Sequence, residues 1–183
     1  MEEQKIKQPI NSESKDFEEI EFNNIKKIGV ISDTHIPLKA EHIPEKALDI
    51  FKGCNLILHA GDLVNLRAID ELGKIAPVVA VKGNMDEFEH PFPKKIIITI
   101  NNKLKIGIMH GYGSPNKITD YVKSEFKDVD CIVFGHSHKA LNETLDNTLL
   151  FNPGSACDKA FTDINSVGIL YIDEKIKGEI FKI

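Results

Sequence analysis

The sequence predicts an α+β fold in which two β-sheets pack face to face with helices on the outside. Three observations support it. Eight short apolar runs are rich in Ile and Val, helical stretches separate several of the early runs, and hairpin-like pairs of runs follow. At 183 residues, 42% hydrophobic and 28% charged, the chain has the size and composition of one soluble globular domain.

Residues 1–24 are polar, with seven acids against three lysines and no clear periodicity, and are expected to form a mobile extension. Within them "SKDFEEIEF" (14–22) is read as a short helix, because Phe17, Ile20 and Phe22 are roughly helically spaced. The domain proper is placed at 25–183. It opens with strands over "IKKIGVIS" (25–32), "CNLILHA" (54–60) and "APVVAVKG" (76–83). Between them lie helices over "IPEKALDIFK" (43–52), with Pro44 near its start, and "NLRAIDELGKI" (65–75), opened by Asn65. The strands "KIIITI" (95–100) and "LKIGIMH" (104–110) flank Asn101-Asn102, a hairpin turn. A third helix covers "SPNKITDYVKSEF" (114–126), with Ser114 as cap and Pro115 at its first position. "CIVFG" (131–135), "TLLFN" (148–152) and "SVGILYI" (166–172) are the last strands, and the tail 170–183 suggests a second hairpin.

Charge and cysteine usage exclude several function classes. The net charge is −5, of which residues 25–183 carry only −1, so the body has no general electrostatic footprint for duplex nucleic acid. No apolar stretch approaches a membrane span, and the polar start "MEEQKIKQ" has no export segment, which points to the cytoplasm. Cys54, Cys131 and Cys157 form no C-x-x-C pair; Cys54 and Cys131 lead into apolar runs and are read as small buried hydrophobes.

The chemistry lies at the strand ends. "IGVIS" runs into Asp33-Thr34-His35, "LILHAG" into Asp62, "VVAVKG" into Asn84, "KIGIM" into His110 and "CIVFG" into His136-Ser137-His138. Successive positions are 29, 22, 26 and 26 residues apart, most of them about one strand and its crossover. In open α/β sheets the carboxyl ends of strands line the ligand crevice, so these seven side chains are expected at one edge. Two aspartates, an asparagine and four histidines suit borderline divalent ions: Mn²⁺ is preferred, with Ni²⁺, Fe²⁺ or Zn²⁺ also suited. Seven ligands exceed one tetrahedral site but serve two ions with a bridging carboxylate, an arrangement that promotes displacement at phosphorus. His59 is expected behind this cluster, whereas His42 and His90, beside prolines, are read as solvated and Lys82 as exposed.

Asp33-x-His35, Gly61-Asp62, Gly83-Asn84, His110-Gly111 and Gly135-His136-x-His138, followed by "NPGS" at 152–155, resemble the calcineurin-like metallophosphoesterase family. The small size resembles its compact YfcE-like phosphodiesterase subgroup. The resemblance implies an αββα four-layer sandwich of two mixed sheets and a two-metal centre. Asp33, His35 and His138 would bind one ion, Asn84, His110 and His136 the other, and Asp62 would bridge them. Asp62, Asn84 and His110 are the expected catalytic group, with a metal-bound hydroxide attacking a small-molecule phosphodiester. Many family members carry histidine directly after the asparagine, to protonate the leaving oxygen; here Met85 stands there, as in the YfcE-like subgroup, and Asp86 is a candidate for part of that role. The retromer subunit of this fold supplies the alternative, a non-catalytic protein-binding scaffold. A nuclease is disfavoured by the near-neutral body, and self-association into a homo-oligomer is left open.

Overall fold

The computed structural model describes residues 16–86 and 91–183. It contains two mixed sheets. The first runs in the order β1 (Phe17–Phe22), β5 (Lys95–Ile100), β6 (Leu104–Met109), β7 (Cys131–Val133), β9 (Thr148–Asn152), β8 (Leu141–Leu145). The second runs β11 (Ile176–Lys182), β10 (Ser166–Ile172), β2 (Lys27–Ile31), β3 (Leu56–His59), β4 (Val78–Ala80). Strands β2, β3 and β4 are parallel, as are β6, β7 and β9. The helices are α1 (Glu45–Phe51), α2 (Arg67–Leu72) and α3 (Ile118–Glu125).

Alternation within the strands builds the layers. Ile28 and Val30 of β2, Leu56 and Leu58 of β3, Ile106 and Ile108 of β6, and Val133 of β7 form the core between the sheets. The intervening residues face outward: Ile31 and Ile57 meet Ala47 and Phe51 of α1 and Ala68 and Leu72 of α2. Met109 and Ile132 on the other sheet meet Ile118 and Val122 of α3. The result is the expected α–β–β–α stack. Cys54 and Cys131 are buried in it.

All eight apolar runs form strands, and both hairpins are present. Asn101 and Asn102 turn with φ of 53° and 55°, the left-handed pair a tight hairpin requires. Pro44 caps α1, and the Asn65 side chain accepts from the Arg67 N–H, but α3 begins at Ile118, four residues after Ser114.

Residues 17–22 correct the expected extension and its helix. They form β1, which pairs in parallel with β5 from Phe17↔Lys95 to Phe22↔Ile100. Ile20 and Phe22, two apart, pack on the core while Glu19 and Glu21 face solvent, which is the strand period. The folded body therefore includes Phe17; residues 1–15 lie outside the described residues, as does His90. Strand β8 was also not expected. Among the described residues, no helix is long and apolar enough to cross a membrane.

Candidate metal centre

The carboxyl ends of five strands meet at one end of the sandwich, and both sheets contribute. Loops after β2, β3 and β4 carry Asp33 and His35, Asp62, and Asn84. Loops after β6 and β7 carry His110, and His136 with His138. The crevice thus straddles the sheet–sheet interface.

The loops turn abruptly to aim these side chains inward. Asp33, His35, Asp62, His136 and His138 all adopt left-handed φ, between 46° and 66°. Such backbone costs of order 1 kcal/mol per residue and persists only where its surroundings impose it. Those surroundings are visible. The Asp33 and His35 amides donate to the carbonyls of Gly61 and Asp62 at 3.1 and 3.0 Å, and Gly135 donates to the His110 carbonyl at 3.0 Å. Asn152 and Ser155 of "NPGS" brace the same loops: Asn152 Nδ2 donates to the Gly135 carbonyl at 2.8 Å and Ser155 Oγ to the Asp33 carbonyl at 2.8 Å. Gly83 and Gly135 are required by close approach, since a Cβ would collide with Asp62 at the first and with Ser32 at the second.

Each aspartate divides its two oxygens. Asp33 Oδ2 accepts from the His136 amide at 3.2 Å, leaving Oδ1 to face His138 Nε2 at 3.2 Å and His110 Nε2 at 3.9 Å. Asp62 Oδ1 accepts from the Met85 amide at 2.8 Å, leaving Oδ2 to face His110 Nε2 at 3.2 Å and His35 Nε2 at 3.9 Å. His35 and His138 bring their Nε2 atoms to 3.4 Å. Two groups of three result, Asp33–His35–His138 and Asp33–Asp62–His110, with the ligand atoms of each within 4.8 Å of one another. Asp33 belongs to both groups, and Asp62 also reaches His35, so both carboxylates face both halves.

Asn84 and His136 lie beside the second group. His136 Nδ1 sits 3.0 Å from Asn84 Oδ1 and its Nε2 3.1 Å from the Gly113 carbonyl, while its ring lies 5.2 Å from that of His110. All seven expected residues therefore share one crevice, five of them buried.

The protonation pattern identifies what is wanted between these groups. His110 Nδ1–H donates to the Ala60 carbonyl at 2.7 Å, so the neutral ring presents a lone pair at Nε2, straight at the Asp62 carboxylate. Asp33 Oδ1 and His110 Nε2 are buried without a hydrogen-bond partner. Acceptors facing acceptors at this separation need a cation between them. Without a metal, a proton serves. Burial works against charge on His110, but the bond to Asp62 and the charges of Asp33 and Asp62 outweigh it and hold its pKa up at about 9. Burial also opposes ionisation of Asp62, and His110 outweighs it there too, keeping that carboxyl below its ordinary range. His35 is pushed down by burial, against the pull of Asp62 and Asp33. Three nearly dry imidazoles with two carboxylates are a donor set suited to borderline divalent ions.

Further residues support the site from behind. Asp86 is buried; its Oδ2 accepts from the Asp62 and Gly83 amides at 3.0 and 2.8 Å, and its Oδ1 from Val64 at 2.7 Å. With both oxygens engaged by backbone, it is a clamp on the loops after β3 and β4, which corrects its candidacy as a proton donor. Asp158 holds Lys39 at 3.3 Å and lies 3.9 Å from His138 Nδ1. His59 is fully buried behind the site, within 3.0 Å of Thr34 Oγ1 and accepting from the Gly61 amide at 3.3 Å. His42 pairs with Glu71 at 2.7 Å, a contact the solvated reading omits.

Residues 27–175 match the calcineurin-like phosphoesterase superfamily domain. A probable metallophosphoesterase of Methanothermobacter thermautotrophicus is 39% identical over 159 residues, covering 85% of this chain and 91% of that protein. A phosphodiesterase of Methanocaldococcus jannaschii is 33% identical over 172 residues, covering 84% and 98%. Among solved structures, Vps29 of Entamoeba histolytica, complexed with Zn²⁺, superposes with a TM-score of 0.67 at 28% identity, covering 85% of this chain and 98% of that one.

Proposed function

The chain belongs to the calcineurin-like phosphoesterase superfamily, and from that membership we propose that it is a metal-dependent phosphodiesterase hydrolysing a small phosphodiester at a two-metal site. The observation that carries the reading is the convergence of two buried carboxylates and three buried imidazoles in two overlapping groups that share Asp33, each with its ligand atoms within 4.8 Å of one another.

In this reading Asp33, His35 and His138 would hold one divalent ion. Asp62 and His110, joined by Asn84 and His136, would hold the other. Mn²⁺ is the preferred ion, since four imidazoles with carboxylate and amide oxygens suit the borderline metals. Ions held there would supply Lewis-acid stabilisation of the charge that develops on a transferring phosphoryl group.

The chain's own residues set up that chemistry. The Ala60 carbonyl fixes the His110 tautomer so that Nε2 is the ligand atom, and the Met85 and His136 amides fix the free oxygens of Asp62 and Asp33. Two divalent ions against two carboxylates would leave the crevice positive and attract a phosphoryl anion although the body is near neutral. Met85, half exposed beside Asn84, cannot protonate a departing oxygen. Diesters with acidic leaving groups are therefore the better substrates.

The likeness to Vps29 supports the second reading, a protein-binding scaffold. The test is hydrolysis of bis(4-nitrophenyl) phosphate by chelated protein repleted with Mn²⁺, Ni²⁺, Zn²⁺ or Mg²⁺. Repletion is expected to restore turnover, and Asp62→Asn and His136→Ala to reduce it about 100-fold or more. Metal uptake with no turnover under any ion would favour the scaffold.

A further inference from the structure

We infer that the crevice continues into a subsite for a planar aromatic arm of the substrate, so that the preferred diesters carry an aryl or nucleobase group on one ester oxygen. This deepens, and rests on, the phosphodiesterase reading. A pocket of about 270 Å³ opens beside His110 and Asn84 and is lined further by Met109, Tyr112, Tyr121 and Lys94. It therefore begins at the metal-centre residues and leads away from them, where an ester arm would extend from a phosphoryl group held on His110 and Asn84.

The lining suits an aromatic arm in three respects. Tyr112 is 71% exposed, a large ring left in solvent two residues beyond His110. Its plane lies within 21° of the His136 ring at 6.4 Å, so it stands as a wall roughly parallel to an imidazole of the centre. Tyr121, on α3, is 37% exposed toward the same space, and Met109 adds a polarisable thioether. Two tyrosines and a methionine offer stacking and edge contacts that an alkyl arm cannot use, while Lys94 at the rim holds its ammonium on Asp16 at 2.9 Å.

The chain has three tyrosines and no tryptophan, which makes the test direct. Tyr171 pairs with Lys27 at the opposite end of β2 from Asp33 and serves as an internal control. Fluorotyrosine-labelled full-length protein loaded with Zn²⁺ would be titrated, by ¹⁹F NMR, with phenyl phosphate, methyl phosphate and inorganic phosphate. Phenyl phosphate is expected to bind about tenfold more tightly than methyl phosphate and to shift Tyr112 and Tyr121 but not Tyr171. Tyr112→Ala should abolish the preference without changing affinity for inorganic phosphate, and Tyr112→Phe should preserve it. Equal affinity for phenyl and methyl phosphate, binding that leaves both pocket tyrosines unmoved, or no binding of any of the three would overturn the subsite. Tyrosine shifts with no turnover of a nitrophenyl diester would keep the subsite and remove the hydrolase. Turnover with equal affinities would do the reverse.

Discussion

Removing the Asp86 carboxylate should loosen the metal centre from behind. Asp86 accepts three backbone hydrogen bonds, from Asp62, Gly83 and Val64, at 2.7–3.0 Å, and is only 6% exposed. Each is charge-assisted, and such bonds contribute about 1.5 kcal/mol or more. Asp86→Ala strands three donors in a crevice that water reaches only in part, so a loss of about 4 kcal/mol is expected. For a chain of this size that lowers the melting temperature by roughly 10 °C. Asp86→Asn keeps one acceptor oxygen and should lose about half as much. Melts belong on chelated protein, because bound metal would itself stabilise the fold. The Asp62 amide is one of the three donors, so metal affinity should also fall, by about 10- to 100-fold, the range for groups supporting a ligand. An Asp86→Ala protein that melts within about 2 °C of the parent would refute the clamp.

Further outcomes follow from the same geometry. Burial pushes His59 down to a pKa of about 4 from 6.5. Between those values the unfolded chain takes up a proton that the folded chain refuses, so stability falls as pH falls through that window. His59's own share of the change from pH 7.5 to 5 is a loss of about 2 kcal/mol, partly offset in the parent by His110, whose raised pKa stabilises the fold as pH falls. Urea unfolding of His59→Gln beside the parent isolates that share, and equal slopes in the two would remove His59 as a source. Met85→His restores a proton donor beside Asn84. It should raise turnover of diesters with poor leaving groups by about tenfold while leaving nitrophenyl diesters nearly unaffected. Equal effects on both classes would count against leaving-group protonation as the missing function.

The four layers were legible because the strand runs are short, β-branched and bounded by turn residues. Ile28, Val30, Leu56 and Leu58 alternate as a buried sheet demands. The two edge strands of the six-stranded sheet were not. Strand β8 is exposed along most of its length, and Glu143 interrupts the face that Leu141 and Leu145 share, so "LNETL" shows no continuous apolar face. In β1 a three-residue interval from Phe17 to Ile20 mimicked a helix, and only pairing with β5 makes the two-residue alternation decisive. The ligand candidates were legible because chemistry requires their residue types at strand ends. Their strained backbone was not, nor were the supports: Asp86, Asn152 and Ser155 act through hydrogen bonds to backbone groups that are distant in sequence. A lone Asp, Asn or Ser in a loop reads as turn chemistry until the partner loop is in place.

Metal stoichiometry tests the central claim most directly. Chelated protein titrated with Mn²⁺ in a calorimeter, with the dialysed product assayed by elemental analysis, should hold two ions per chain, and Asp33→Asn, which alters the carboxylate common to both groups, should weaken both. A parent chain that takes up no Mn²⁺, or an Asp33→Asn chain that binds as the parent does, would contradict the account.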